Sequence, residues 1–230
     1  MNKRIIGITD CEKFDKYNHW ISEIPGVVVV RLGDSFKNLQ ALKGCHGVVL
    51  TGGEDVHPRF YDKPEYLEFC HQEDMNEARD EFELNVINYS QQHNLPLLGI
   101  CRGLQIANVY FGGSLIPDIP RWYQLEHSKY SEGNDRYHPI TVEPHSQLYA
   151  DTNVAEGEVN SAHHQCVERV GAGLKINCYA DGKIVEGLER AAADQAFLLL
   201  VQWHPERMKD QQNVFTKNIR RAFIDQVSSK

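Results

Sequence analysis

The stretch LPLLGICRGLQIANVYFGG, residues 95–113, decides the fold class. Its apolar run up to Ile100 reads as a buried strand, and residues 102–111 read as a helix that stops at Gly112-Gly113. Cys101 stands between the two, with Gly99 and Gly103 two residues to either side. In the pattern Gly-x-nucleophile-x-Gly the chain turns sharply from strand into helix. The glycines let neighbouring backbone pass without a Cβ clash. Such an apex projects from the carboxyl end of a central strand, where open α/β sheets bind ligands. It also sets the sulfur at a helix N-terminus, where the dipole and free N–H groups favour thiolate. The competing account is a buried cysteine at an ordinary tight turn, because most free cysteines serve as small core residues.

Outward from this elbow the chain alternates strand and helix patterns. RIIGIT (4–9), VVVVRL (27–32) and GVVLTGG (47–53) are rich in Val and Ile and read as strands. Over residues 74–93 the period changes to a helical one, with Ala78, Phe82, Val86 and Tyr89 on one face. Continuous apolar strands alternating with helices imply an α/β fold with a mostly parallel sheet covered on both faces. The second half is richer in strands: RYHPITVEP, LKINCYA, KIVEGLE and AFLLLVQW. An antiparallel section is expected there, before a closing helix over 210–227. No repeat, low-complexity tract or linker divides the chain, so residues 1–230 are expected to form one domain.

Composition narrows the partners. The 230 residues carry 32 acidic and 24 basic side chains, a formal net charge of −8. A surface for nucleic acid or anionic membrane would need a basic stripe, so neither partner is expected. The N-terminal apolar run is too short for a signal peptide, and no run approaches the ~20 apolar residues of a membrane span. A soluble, cytoplasmic protein is the expectation. Six cysteines, Cys11, Cys45, Cys70, Cys101, Cys166 and Cys178, are scattered singly without CxxC spacing. That argues against a zinc ribbon or a redox pair and for reduced thiols.

Two further motifs bear on the elbow. In LLLVQWHPERM (198–208) a buried strand runs into His204-Pro205-Glu206. Cysteine catalysis needs an imidazole to exchange protons and a third group to orient it. His204 and Glu206, two apart, fall on one side of an extended segment, and Pro205 fixes the strand exit. Alone, this is equally a strand end with a chance histidine. In LTGGEDVHP (50–58) a strand ending in Gly-Gly leaves backbone N–H groups to aim at an oxyanion, or simply makes a turn.

Together GICRGLQ, VQWHPE, LTGGEDVHP and EVNSAHHQ resemble the class I glutamine amidotransferase-like hydrolases. Within them they are most similar to the γ-glutamyl-γ-aminobutyrate hydrolase group, peptidase family C26. The resemblance runs from about Ile5 to the closing helix, with four motifs in the family's order. It implies a flavodoxin-like three-layer sandwich. It implies a triad of Cys101 as nucleophile, His204 as acid and base, and Glu206 as its orienter. The oxyanion hole would be the backbone N–H of Gly53 with that of Arg102. By the same similarity Gln105, Ser161, His163, His164 and Gln165 are candidates for holding the glutamyl amino and carboxylate groups. The implied reaction cleaves a γ-glutamyl amide through a γ-glutamyl thioester, with a small-molecule substrate and no cofactor or metal. A homo-oligomer is compatible with it.

Two other readings stay open. One is the glutaminase subunit of a two-chain amidotransferase. Such domains usually carry an apolar residue after the nucleophile, where this chain has Arg102. The other is a non-hydrolytic binding or redox-sensing member of the fold, for which an intact His204-Glu206 pair has no use. A metal site of His163, His164 and Cys166 is disfavoured, because adjacent histidines on a strand point to opposite faces. Arg79, Asp80 and Glu83 are expected on a solvated or ion-paired helix face. Trp203 is expected to pack, and the polar, aromatic segment 117–136 to line or cover the leaving-group pocket.

Overall fold

The computed structural model describes residues 3–181, 184–192 and 195–227. Met1, Asn2 and Lys183, the last at the head of KIVEGLE, lie outside the described residues. In chain order the elements are strand β1 (Arg4–Thr9), helix α1 (Phe14–Ser22), β2 (Val27–Leu32), β3 (Gly47–Leu50), α2 (Glu77–Gln92), β4 (Leu97–Ile100), α3 (Arg102–Tyr110), β5 (Ser114–Ile116) and α4 (Ile119–Tyr123). There follow β6 (Arg136–Val142), α5 (Gln147–Thr152), β7 (Glu156–Ser161), β8 (Cys166–Arg169), β9 (Leu174–Ala180), β10 (Ile184–Arg190), β11 (Leu198–Val201) and α6 (Val214–Val227).

Among the described residues one large sheet runs β2-β1-β3-β4-β11-β10-β9-β6-β7. Its first five strands are parallel neighbours, and from β11 onward every pairing is antiparallel. The expected mostly parallel half and antiparallel second half are both present. All four residues of β3, of β4 and of β11 are buried, as strands covered on both faces must be. Their side chains alternate between two cores. Val49, Leu98, Ile100, Leu199 and Val201 meet Trp20, Phe215 and Phe223 from α1 and α6. Val48, Leu50, Leu97, Leu198 and Leu200 meet Val86, Ile87, Leu104 and Ile106 from α2 and α3. The result is helix, sheet, helix: three layers.

Three sequence expectations are corrected. The inward face of α2 is Arg79, Asp80, Glu83, Val86, Ile87 and Ser90, while Ala78 is exposed. The apolar periodicity misplaced this face because its buried N-terminal half is charged, and buried charges carry no hydrophobic signal. The closing helix begins at Val214, because Asp210 and Asn213 accept from the N–H groups of Gln212 and Phe215 and make turns instead. His163 and His164 lie in the connection between β7 and β8, not on a strand. Among the described residues no helix is long and apolar enough to cross a membrane.

Candidate active site

The carboxyl ends of β1, β3, β4 and β11 open on one cavity of about 430 Å³. Cys101, Gly52, Gly53, His204 and Glu206 line it, as do Cys11, Tyr17, Asp55, His71 and His164.

Cys101 caps α3 with φ 53° and ψ −108°, a conformation that side chains other than glycine rarely adopt. The flanking glycines show why it is held. A Cβ on Gly99 would sit 2.8 Å from the Gly103 carbonyl oxygen, and one on Gly103 would sit 2.4 Å from that of Leu50. Strand β3, strand β4 and the first turn of α3 therefore press together at backbone distance. The Cys101 N–H is bonded across to the Val201 carbonyl, 2.8 Å away, which ties the elbow to β11.

His204 follows β11 and is buried. Its N–H donates to Asn160 Oδ1 at 3.1 Å, and its Nδ1 lies 2.9 Å from Glu206 Oε1. Residues Pro205–Arg207 form a short 3-10 turn rather than continuing extended, and this turn brings Glu206 beside the ring. The Pro205 carbonyl accepts from Thr216 Oγ1, whose hydroxyl in turn accepts from Trp20 Nε1. Trp203 is fully buried and donates to the Phe215 carbonyl, a packing role as expected. Burial disfavours charge on the imidazole, but the Glu206 carboxylate and the Cys101 sulfur outweigh it and hold His204 up at about 9. The arrangement keeps an imidazolium beside the sulfur at neutral pH.

Gly52 is the spacer of the site: a Cβ there would lie 2.8 Å from the Tyr17 hydroxyl and 2.9 Å from His204 Cε1. The Gly52 N–H donates to that hydroxyl at 3.0 Å, which occupies one of the two glycine amides. Gly53 is exposed to the cavity, and among the described residues no protein acceptor is placed on the N–H of Gly53 or of Arg102. These are the two donors expected to face an oxyanion.

Side chains beneath the site explain the charges on α2. Arg79 Nη2 donates to the Thr51 and Gly52 carbonyls, and Nη1 to Glu54. Arg102 is fully buried and paired with Asp80 and Glu83, and Arg79 also reaches Glu83. Burial alone would raise the Glu83 carboxyl, yet the two guanidinium groups hold it below its ordinary value. An ion-paired face is therefore present, but it is buried and joins the Gly-Gly turn to the elbow helix.

The five candidates for holding substrate separate. His163 and His164 line the cavity. Gln105 is turned to the Gln165 carbonyl and to Gln202, Ser161 donates to the His127 carbonyl, and Gln165 reaches Cys70. These three are buried and are not among the lining residues. Their position in the motif carried no information on side-chain direction. Sequence reasoning missed Tyr17, Asp55 and His71. Asp55 sits 2.7 Å from His164 Nε2, and the His71 and His164 rings stack 3.9 Å apart to make one wall. From the 117–136 segment Ser128 and Lys129 line the cavity, and Glu132 bridges to Lys13 on the opposite rim at 2.6 Å.

Residues 6–206 match the Peptidase C26 family. The chain belongs to the Peptidase C26 family. A glutamine amidotransferase-like protein of Rickettsia prowazekii is 30% identical, over 90% of this chain and 92% of that one. The glutamine amidotransferase-like protein YvdE of Lactococcus lactis is 37% identical over 69% of this chain and 65% of its own. The γ-glutamyl-γ-aminobutyrate hydrolase PuuD of Escherichia coli is 28% identical over 90% of this chain and 87% of its own. Among solved structures, a GMP synthase component from Thermoplasma acidophilum superposes with a TM-score of 0.71 at 19% identity. The match covers 100% of this chain and 96% of that one. The likeness shows that this C26 chain has the fold of the class I glutamine amidotransferases.

Proposed function

We propose that this C26 protein hydrolyses γ-glutamyl amides of small amines, with Cys101, His204 and Glu206 as its catalytic groups. The reading rests on one observation. The strained Cys101, the Glu206-bound His204 and Gly53 line one cavity, and Arg102, whose N–H has no protein acceptor among the described residues, follows Cys101 in the chain. The Cys101 thiolate attacks the side-chain carbonyl carbon of the γ-glutamyl group, and the carbonyl oxygen takes the negative charge toward the Gly53 and Arg102 amides. His204 gives its proton to the leaving nitrogen as the C–N bond breaks, leaving a thioester and a free amine. A water then loses a proton to His204 and attacks the thioester, releasing glutamate and regenerating the thiolate–imidazolium pair. Glu206 holds Nδ1, so that Nε2 exchanges the protons.

The rim supports a leaving amine that carries a carboxylate: Lys13, Lys129 and Arg207 stand among the lining residues. γ-Glutamyl-γ-aminobutyrate, the substrate in the Escherichia coli relative's name, is the first amide to test. A second reading, glutaminase activity coupled to a synthase, is favoured by the amidotransferase names of the more identical relatives. Glutamate release is measured from γ-glutamyl-γ-aminobutyrate, other γ-glutamyl amides and glutamine, with Cys101→Ala as control. Cys101-dependent release that favours the amides over glutamine is expected. Release from glutamine alone supports the glutaminase reading, and no release from a reduced, folded sample overturns both.

A further inference from the structure

Next to the cavity, three histidines and a glutamate from four separate segments meet in the interior. His127 comes from the connection after α4, His138 from β6, His163 from the β7–β8 connection and Glu186 from β10. All four are buried, and Glu186 is fully so. One ring nitrogen of each histidine points at the same carboxylate: His127 Nδ1, His138 Nε2 and His163 Nε2 lie 3.3, 3.6 and 3.3 Å from Glu186 Oε1. The four ligand atoms lie within 4.8 Å of one another.

The outer nitrogens fix which tautomer each ring takes when it is neutral. His163 Nδ1 lies 2.9 Å from the Gln165 carbonyl, and His138 Nδ1 lies 3.1 Å from that of Pro139. A carbonyl only accepts, so both Nδ1 atoms carry the proton. His127 Nε2 faces the Asp181 carboxylate at 3.2 Å and does the same. A neutral ring in this tautomer aims its lone pair inward, toward Glu186. None of these nitrogens, and neither oxygen of Glu186, has a hydrogen-bond partner among the described residues. Interiors do not leave buried polar groups uncompensated. A cation at their centre would partner all four at once.

The spacing fits a particular one. Tetrahedral ligands at about 2.0–2.1 Å from Zn²⁺ are separated by about 3.3–3.4 Å, close to the three nitrogen–oxygen distances here. An outer hydrogen bond on each histidine is the usual means of orienting metal-bound imidazole. The backbone is also adapted to the task. Val185 pairs with Tyr179 and Gly187 with Cys178, so Glu186 is skipped by the β9–β10 ladder. Such a bulge re-aims a side chain.

We propose that His127, His138, His163 and Glu186 form a closed, structural site for a divalent transition metal of the Zn²⁺ class. Four protein ligands leave no open position, which makes the ion structural rather than catalytic. It ties β6 and β10 to the His163-His164 connection and so fixes one wall of the cavity. The site is distinct from the Asp55–His71–His164 wall, and it does not depend on the γ-glutamyl reading.

The test uses untagged protein purified without added metal, analysed by elemental mass spectrometry. About one ion per chain is expected, bound as isolated or after incubation with Zn²⁺. Co²⁺ should give the visible absorption of a tetrahedral nitrogen–oxygen site. Zn²⁺ at a hundredfold excess over its Kd should raise the melting temperature of chelator-treated protein by roughly 5–10 °C. Glu186→Gln and His138→Ala should abolish stoichiometric binding, whereas Cys101→Ala and His164→Ala should retain it. Should either ligand variant fail to fold, the wild-type stoichiometry, cobalt spectrum and melting shift still decide. Wild-type protein that binds neither ion and melts unchanged overturns the site, and protonated imidazoles then balance Glu186. Loss of the ion in His164→Ala but not in His138→Ala overturns it as well.

Discussion

Gly53 lies directly over Arg79: a Cβ built on Gly53 would sit 2.2 Å from Arg79 Nη1. The cavity-facing amide and the buried guanidinium beneath it are thus separated by no more than a glycine allows. Gly53→Ala should displace the turn that presents this N–H. The expected cost is about 1–3 kcal/mol of stability from overpacking and about 10²–10³ in kcat from loss of one oxyanion donor. Urea unfolding and initial rates on a γ-glutamyl amide separate the two.

Arg102 should matter far more to stability than a surface arginine. Its guanidinium is fully buried on Asp80 and Glu83. Arg102→Met leaves both carboxylates without their main partner and is expected to cost about 3–5 kcal/mol. Adding Asp80→Asn and Glu83→Gln should restore part of it, because neutral groups need no counter-charge. Denaturant midpoints of the single and combined variants check this.

Backbone strain at Cys101 gives a prediction with an unusual sign. Both Cys101→Ala and Cys101→Gly should be inactive, but Gly fits φ 53° and ψ −108° without a Cβ penalty. Cys101→Gly is expected to be more stable than Cys101→Ala by about 1 kcal/mol, read from urea midpoints. An alanine variant at least as stable as the glycine one contradicts the strain.

The His204 shift dictates the pH dependence. Its value rises from 6.5 in the unfolded chain to about 9 in the folded one. A raised value means the folded state holds the proton more tightly. The associated stability, on the order of 3 kcal/mol, is therefore complete below pH ~6.5 and lost as pH rises through ~9. In Glu206→Gln burial acts without its main counterweight. The alkaline limb of kcat/KM should then move down from near 9. A pH–rate profile whose alkaline limb stays in place removes Glu206 from its role.

Much of this was legible in the sequence. The elbow at 99–103, the Gly-Gly turn and His204-Pro205-Glu206 each follow an apolar strand, and strand ends in an open α/β sheet meet on one edge. Local pattern sufficed to place these motifs, although Pro205–Arg207 is a 3-10 turn where an extended segment was expected. Direction of side chains in loops was not legible. Gln105, Ser161 and Gln165 face inward to other backbone and side chains, whereas His71, from a segment with no motif, stacks on His164.

The sequence by itself determined the alternation of strand and helix, the sharp turn at Cys101 and the short link from His204 to Glu206, because these depend on neighbours along the chain. Only the tertiary structure decided that Tyr17 occupies the Gly52 amide. The same holds for the charged face of α2, which is buried beneath the elbow, and for His127, His138, His163 and Glu186, which share one point. Those relationships join residues far apart in the chain, as Tyr17 and His204 are, 187 positions from one another. No periodicity encodes contacts of that span; they exist once packing of the sheet against its helices has fixed where each segment lies.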